Sequence, residues 1–322
     1  MRGLGGSGIE VSRLILGCGN FGGIGSAPAF FGQGETREQA FALMDAAWEA
    51  GITTFDTADA YGGGRSESWI GEWRAAKGAD VRERLVLSTK VFHSVEGRPG
   101  DSGLAPERVR RQVEGSLRRL GVERIDMYLT HEPDPDTAVA DTLAALDELV
   151  ASGTIGAYGV SNVDGAELRE ALAGGSPQWV QNSYSLLERD AEREVLPLCS
   201  EHGLGFTPFG PLAGGWLTGK YRRGAEAPAG SRMTLRPEPY RHLEHGRVYD
   251  ALDRLAAIAA GRGATMTELA FAWLLADPRV SAVVLGPRRP DQLEPALRAL
   301  ELDLGEDERR ELGVVFSGLA PA

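Results

Sequence analysis

The stretch that decides the fold is Thr53–Gly62, which reads TTFDTADAYG. Its first half is apolar and β-branched, which predicts a buried strand. Its second half runs on into further glycines, which predicts a loop. Asp56 is therefore expected near the carboxyl end of a strand, with Tyr61 just beyond it, and alternating strand–helix folds carry their chemistry at such ends. Taken alone, the stretch fits a helix-capping Asp and a rim Tyr equally well.

The same alternation of strand and helix runs through the rest of the chain. Buried strands are predicted at 14–17, 53–58, 85–90, 125–131, 157–161, 179–184, 205–210 and 282–285. Helices are predicted at 36–50, 66–76, 106–120, 137–152, 165–173, 192–202, 248–261, 267–276, 290–300 and 306–316. Eight such units predict an α/β fold, a (β/α)8 TIM barrel with an N-terminal β-hairpin within residues 1–13 and extra C-terminal helices. No composition break divides the chain, so residues 1–322 are expected to form one domain.

Two irregular segments are assigned to the mouth of this barrel. Gly17–Gly22 matches GxGxxG after a strand, but the following glycines cannot continue a helix, so a Rossmann fingerprint is not favoured and the segment is taken as a barrel loop. Residues 211–245 are rich in Gly, Pro and Arg and are predicted to form a long loop, which in a compact domain is usually functional or mobile.

Composition excludes several classes of partner. The net charge of −12 leaves no basic stripe for nucleic acid. No apolar run is long enough to span a membrane, and no signal peptide precedes the first strand, so a cytoplasmic protein is expected. The cysteines Cys18 and Cys199 are expected in the core. His242 and His245 have no evident third ligand, so no metal site is expected.

The strand ends supply a coherent acid–base set of Asp56, Tyr61, Lys90 and His131. An ammonium near a tyrosine lowers its pKa, so Lys90 is expected to make Tyr61 a usable proton donor. Asp56 would keep Lys90 charged and oriented, and His131 would donate a hydrogen bond to a carbonyl oxygen. Each residue alone also has a structural explanation, as a helix cap or as one half of an ordinary ion pair.

At these residues the sequence resembles the aldo/keto reductase superfamily. The matching motifs are FDTADAYG at 55–62, LSTK at 87–90, YLTH at 128–131, YGVSN at 158–162, VQNSY at 180–184 and LTGKY at 217–221. The resemblance implies a barrel reductase that uses NADP(H) without a Rossmann domain. It implies that Tyr61 is the general acid, with Asp56, Lys90 and His131 as its partners.

The resemblance also implies a cofactor site. Residues assigned to it are Ser161, Asn162 and Gln181 at the nicotinamide carboxamide, Phe209 stacking on the ring, and Pro211, Leu212, Gly286, Arg288, Arg289 and Gln292. Gly210 stands where a serine is common, and Pro295-Ala296 replaces the usual Glu-Asn pair. The adjacent arginines precede a helix that starts at Pro290, which suits an adenosine 2′-phosphate. The alternative is that these two arginines only form part of the solvent-exposed rim of the barrel.

The function expected from the sequence is an NADP(H)-dependent oxidoreductase that interconverts a carbonyl and an alcohol. The substrate is expected to be a small aldehyde, ketone or sugar, and the oligomeric state stays open. Two alternatives remain, a Schiff-base aldolase that uses Lys90 as the nucleophile and a non-catalytic subunit that senses NADPH. The acidic neighbour Asp56 speaks against the aldolase, because it keeps the amine protonated.

Overall fold

The N-terminal residues form the predicted hairpin. A computed structural model describes residues 1–319. Strand β1 (Arg2–Gly3) pairs antiparallel with β2 (Glu10–Val11). Gly5 makes the turn with φ +54°, and a Cβ there would lie 2.3 Å from the carbonyl oxygen of Gln178, so the hairpin sits tightly against the barrel.

Eight parallel strands follow and form the barrel wall. They are β3 (Leu14–Gly17), β4 (Thr54–Asp56), β5 (Val86–Val91), β6 (Ile125–Thr130), β7 (Ile155–Ser161), β8 (Trp179–Gln181), β9 (Gly205–Phe206) and β10 (Val283–Leu285). The order in the sheet is β10-β3-β4-β5-β6-β7-β8-β9. The two ends meet, because Ser281 N donates to Phe206 O at 2.8 Å and Val284 N to Pro208 O at 2.9 Å. The predicted (β/α)8 barrel is confirmed.

Helices connect the strands and cover the outside of the barrel. They are α1 (Arg37–Glu49), α2 (Arg65–Ala76), α3 (Ala79–Arg84), α4 (Pro106–Leu120), α5 (Val139–Ala151), α6 (Gly165–Gly174), α7 (Val195–His202), α8 (Arg232–Leu235), α9 (Gly246–Gly261), α10 (Met266–Leu275), α11 (Glu294–Ala299) and α12 (Glu306–Val315). None of the helices within residues 1–319 combines the length and apolarity needed to cross a bilayer.

The ends of these helices follow from local sequence. Thr36 caps α1 by accepting from Gln39 N at 3.3 Å, while the Gln39 side chain accepts from Thr36 N at 2.9 Å, a reciprocal capping box. Pro106 opens α4, where the missing N–H costs nothing. Gly121 ends α4 with φ 65°, in the left-handed conformation that glycine adopts without strain.

The barrel has one core inside and another between the strands and helices. The inner core contains Leu4, Val11, Ile15, Met127 and Trp179, all buried. Because the hairpin residues Leu4 and Val11 join this cluster, the hairpin closes the amino end of the barrel. The carboxyl ends of the strands are left as the open mouth.

The structure corrects the predicted lengths of three strands and the character of one loop. The strands predicted to reach 58, 184 and 210 end at Asp56, Gln181 and Phe206. Pro208 has no N–H to donate, so the regular ladder of β9 stops before it. Segment 211–245 is not one irregular loop, since it contains 3₁₀ turns at Ala213–Thr218 and Glu238–Leu243 and the short α8. Helix α3 was not predicted.

Candidate active site

The predicted acid–base residues lie together at the mouth of the barrel. Asp56 ends β4, Lys90 lies in β5, His131 follows β6, and Tyr61 begins a 3₁₀ turn after β4. All four line one cleft of about 630 Å³. Residues far apart in the chain therefore meet because the parallel strands present their carboxyl ends to one mouth.

Asp56 and Lys90 form a buried ion pair at the base of the cleft. Lys90 Nζ lies 2.5 Å from Asp56 Oδ2 and donates to the Thr57 carbonyl at 2.8 Å. The other carboxylate oxygen accepts from Ser88 Oγ at 2.9 Å and from Gln181 Nε2 at 3.1 Å. Burial lowers the pKa of Lys90, but Asp56 and Tyr61 outweigh it and the pKa is raised, so the amine is an ammonium at neutral pH.

Tyr61 lies between this ion pair and His131. Its hydroxyl is 3.4 Å from His131 Nε2, and Lys90 Nζ is 5.2 Å from the centre of its ring. Burial raises the pKa of Tyr61, and the Lys90 charge opposes that rise without overcoming it. The expected lowering of the pKa by Lys90 is present, but desolvation is the larger effect, so the net pKa lies above its ordinary value. Tyr61 is a neutral phenol at neutral pH.

His131 is a neutral imidazole in this site. Burial lowers its pKa well below the ordinary value, and the nearby charge of Lys90 adds to the effect. Its Nδ1 is buried and has no hydrogen-bond partner among residues 1–319. The side chain of Asn162 donates to the backbone carbonyl of His131 at 2.9 Å, which fixes the end of this strand. A neutral imidazole here has an N–H to offer to an oxygen beside Tyr61.

The residues assigned to the nicotinamide form the adjacent wall. Ser161, Asn162, Gln181 and Phe209 all line the same cleft. Asn162 Nδ2 and Gln181 Nε2 donate to protein oxygens, whereas the amide oxygens of these two side chains accept no hydrogen bond from residues 1–319. A carboxamide such as that of nicotinamide carries an N–H₂ group that suits two such acceptors. The wall therefore fits the cofactor that the sequence implies.

The other residues assigned to the cofactor are divided between the cleft and its surroundings. Gly286 lines the cleft, whereas the lining does not include Pro211, Leu212, Arg288, Arg289 or Gln292. Both arginines already have acidic partners. Arg288 Nε donates to Glu35 Oε1 at 2.6 Å, and Arg289 pairs with the exposed Asp291 at 2.9 Å.

Three arginines in the cleft, Arg98, Arg232 and Arg236, were not identified from the sequence. Arg232 and Arg236 line it from the segment around α8, and Arg232 Nη2 donates to Asn20 Oδ1 at 3.2 Å. The sequence did contain a signal for Arg232 and Arg236, because segment 211–245 is rich in arginine. Its fold over the mouth was not predictable from periodicity, since it consists of short turns.

A polar pair in the lining of the cleft was missed as well. His93 Nε2 lies 3.1 Å from Glu132 Oε1, and both residues line the cleft. The ring of His93 packs edge-on against that of His131, with centroids 5.0 Å apart. Glu132 comes one position and His93 three positions after a predicted strand, which is the signal that would have found them.

Comparisons with known proteins agree with this geometry. The sequence profile of the Aldo/keto reductase family matches residues 13–313. The chain is 37% identical to an uncharacterized oxidoreductase, YrpG, of Bacillus subtilis, over 98% of this chain and 95% of the relative. It is 34% identical to the NADH-specific methylglyoxal reductase of Escherichia coli, over 94% of each chain.

Two further similarities bear on the alternatives. The chain is 34% identical to a probable voltage-gated potassium channel subunit beta of Oryza sativa, over 93% of this chain and 90% of the relative. Among solved structures, the glycerol dehydrogenase AKR11B4 of Gluconobacter oxydans matches with a TM-score of 0.84 and 26% identity, over 100% of this chain and 97% of that one.

Proposed function

Because the chain belongs to the aldo/keto reductase family, we propose that it is an NADP(H)-dependent oxidoreductase that interconverts a small carbonyl compound and its alcohol. The observation that carries the proposal is the convergence of Tyr61, Lys90, Asp56 and His131 on one cleft. We further propose that residues 1–322 act as one catalytic domain. The substrate is taken to be a small aldehyde, ketone or sugar.

In the proposed reaction, Tyr61 gives its phenolic proton to the carbonyl oxygen. The bound nicotinamide supplies the hydride. Because burial keeps the phenol protonated at neutral pH, Tyr61 starts as a donor, and the Lys90 ammonium stabilises the phenolate that the transfer leaves behind. Asp56 holds that ammonium in place, and the neutral His131 donates a hydrogen bond to the same oxygen.

The proposed cofactor contacts extend from the nicotinamide to the phosphates. Ser161, Asn162 and Gln181 would hold the carboxamide, and Phe209 would stack on the ring without the hydroxyl of a tyrosine. Arg232 and Arg236, which the sequence reading missed, suit the negative charges of the dinucleotide. The proposed 2′-phosphate contacts are Arg288 and Arg289, which lie beyond the cleft. The backbone N–H of Arg288 donates to Gln292 Oε1 at 2.7 Å, which holds this part of the loop in place.

Replacing the proposed proton donor tests this function. Tyr61→Phe keeps the ring and removes the hydroxyl, so turnover of an aldehyde panel should fall by at least about 10²-fold. Dinucleotide affinity, measured by fluorescence titration, should stay the same. Near-normal turnover in the variant, or loss of dinucleotide binding along with turnover, would contradict the assigned role.

Two alternatives are tested by the same preparation. One alternative, suggested by the similarity to a probable voltage-gated potassium channel subunit beta, is a non-catalytic subunit that senses NADPH. It predicts tight binding with negligible wild-type turnover across aldehydes, ketones and sugars. A Schiff-base aldolase predicts that borohydride traps a substrate adduct on Lys90. The 2.5 Å contact with Asp56 disfavours the aldolase, because it keeps the amine protonated.

A further inference from the structure

Glu35 is a buried carboxylate at the edge of the proposed cofactor site. It directly precedes the cap of α1 and is 4% exposed. Its backbone is fixed on both sides, since Glu35 N donates to Asn20 O at 2.8 Å and Glu35 O accepts from Gly22 N at 3.0 Å. The carboxylate therefore cannot easily withdraw from its position. One of its oxygens, Oε2, is buried and has no partner among the residues that the structure describes.

The other oxygen of Glu35 is committed to a guanidinium. Arg288 Nε donates to Glu35 Oε1 at 2.6 Å, and Arg288 Nη1 donates to the Gly230 carbonyl at 3.3 Å. Arg232, which lines the cleft, adds a second positive charge that acts on the same carboxylate. Glu35 thus joins three mouth segments, those that follow β3, β9 and β10.

A phosphate that approaches Arg288 meets a guanidinium already neutralised by this carboxylate. The second arginine, Arg289, is expected to attract a phosphate only weakly. Arg289 and its partner Asp291 are both about two-thirds exposed, and charge interactions at such exposed positions are weak and screened by water and salt. From the sequence alone, Arg288 and Arg289 are two arginines without known partners. In the structure each has an acidic partner, and one of those partners is buried.

We propose that Glu35 is a specificity-determining residue that opposes the 2′-phosphate of NADP(H), so that this chain accepts both NADPH and NADH. The inference rests on the proposed function, and in particular on the phosphate site at Arg288. Like charges brought together in a partly buried site repel strongly, because water screens them less there. NADH lacks the phosphate and does not encounter this repulsion.

The test is Glu35→Gln, which keeps an oxygen that can accept from Arg288 Nε and removes only the charge. Binding of NADPH and of NADH is followed by fluorescence titration, so that the result does not depend on turnover. NADPH should bind about tenfold more tightly to the variant than to the wild type, while NADH affinity should change less than about twofold. NADPH affinity that is unchanged or weaker would overturn the proposal.

Two further variants separate this inference from the proposed function. Asp291→Asn removes the exposed acidic partner of the neighbouring arginine and should change neither affinity appreciably. Arg288→Ala should weaken NADPH much more than NADH. An unchanged ratio would overturn the phosphate site, and with it the role of Glu35. If Arg288→Ala behaves as expected but Glu35→Gln does not, the phosphate site stands and only the role of Glu35 fails.

Discussion

At the scale of single residues, burial and charge act on Tyr61 in opposite directions. Burial raises its pKa, and the Lys90 ammonium lowers it by favouring the phenolate. Both effects serve a proton donor, since one keeps the proton on the phenol before the reaction and the other stabilises the anion afterwards. What matters for proton transfer is therefore how far Lys90 lowers the pKa of Tyr61, rather than the net pKa of Tyr61.

Lys90→Met should expose that difference. Without the ammonium the pKa of Tyr61 rises further, so the alkaline limb of kcat/KM for carbonyl reduction should move to higher pH while turnover falls by at least about 10²-fold. The measurement is a pH–rate profile of both proteins. Lys77→Met is the matched control, because Lys77 pairs with Asp45 on the surface. Superimposable profiles for Lys90→Met and wild type would rule out the coupling.

Asp59 illustrates a different effect of burial. It is 0% exposed, and neither of its carboxyl oxygens has a partner among residues 1–319. Burial raises its pKa well above the ordinary value, and the nearby Glu67 adds to this. A group whose pKa is raised by folding contributes most stability below its unfolded pKa of about 3.9 and loses it as pH rises towards the folded value.

Asp59→Asn should therefore flatten part of the pH dependence of stability. The free energy of unfolding in urea, measured at several values between pH 4 and 8, should decline less with rising pH in the variant than in the wild type. The comparison isolates Asp59, because all other titrating groups are common to both proteins. Equal slopes would mean that Asp59 finds a partner or water in the folded protein.

The chemical residues divide clearly by how far sequence predicts them. Asp56, Lys90 and His131 were predictable because each stands at the end of a strand that periodicity locates. Glu35 was not predictable, because its proposed role depends on a contact with Arg288, which is 253 residues later in the chain and follows β10. The effect of Lys90 on the pKa of Tyr61 was predicted, but the larger opposing effect of burial was not, because sequence does not reveal how completely a side chain is buried.

At the scale of elements, helices α2 and α4 are held together by a buried charge. Glu67 on α2 is 0% exposed and accepts from Arg119 Nε of α4 at 2.6 Å and from Thr89 Oγ1 of β5 at 2.6 Å. The helices approach closely, since a Cβ on Gly71 would lie 2.3 Å from the Arg119 carbonyl oxygen. A charge in such a contact depends on its partner.

Arg119→Met keeps most of the aliphatic packing and leaves the Glu67 carboxylate without its cation. The free energy of unfolding should fall by about 3 kcal/mol, as when one partner of a buried pair is removed. Arg37→Met is the control, because Arg37 pairs with Glu72 at the surface and its loss should cost less than about 1 kcal/mol. Similar losses in the two variants would show that the buried pair is no stronger than a surface one.

Elements with local signals were predicted well, and elements without them were not. The first and last residues of α1 and α4 were predicted to within one residue, because Thr36, Pro106 and Gly121 mark them. In segment 211–245, Ser231 and Pro237 precede α8 and the second 3₁₀ turn, but these pieces are too short to show a helical periodicity and were predicted as loop. Their conformation depends on packing over the cleft, which is a tertiary effect.

At the scale of the whole molecule, net charge and local charge disagree. The chain carries a formal net charge of −12, yet Arg98, Arg232 and Arg236 all line the cleft. Asp56 and Glu132 also line the cleft, but the three guanidinium groups raise the concentration of anions close to them despite the overall balance. The negative net charge of the molecule therefore does not prevent the mouth from binding a small polyanion.

Closure of the barrel by its last strand determines when the mouth can form during synthesis of the chain. The wall is completed only when Val283 pairs with Leu14, and Gly286 and Arg288 follow directly after that last strand. β10 is the last barrel strand along the chain, so the two sides of the cleft can face each other only after the other seven strands have been synthesised. Without β10, strands β3 and β9 would each have one edge with no neighbouring strand. A dinucleotide would thus act as a late check on completion, since it favours only chains whose ends have met.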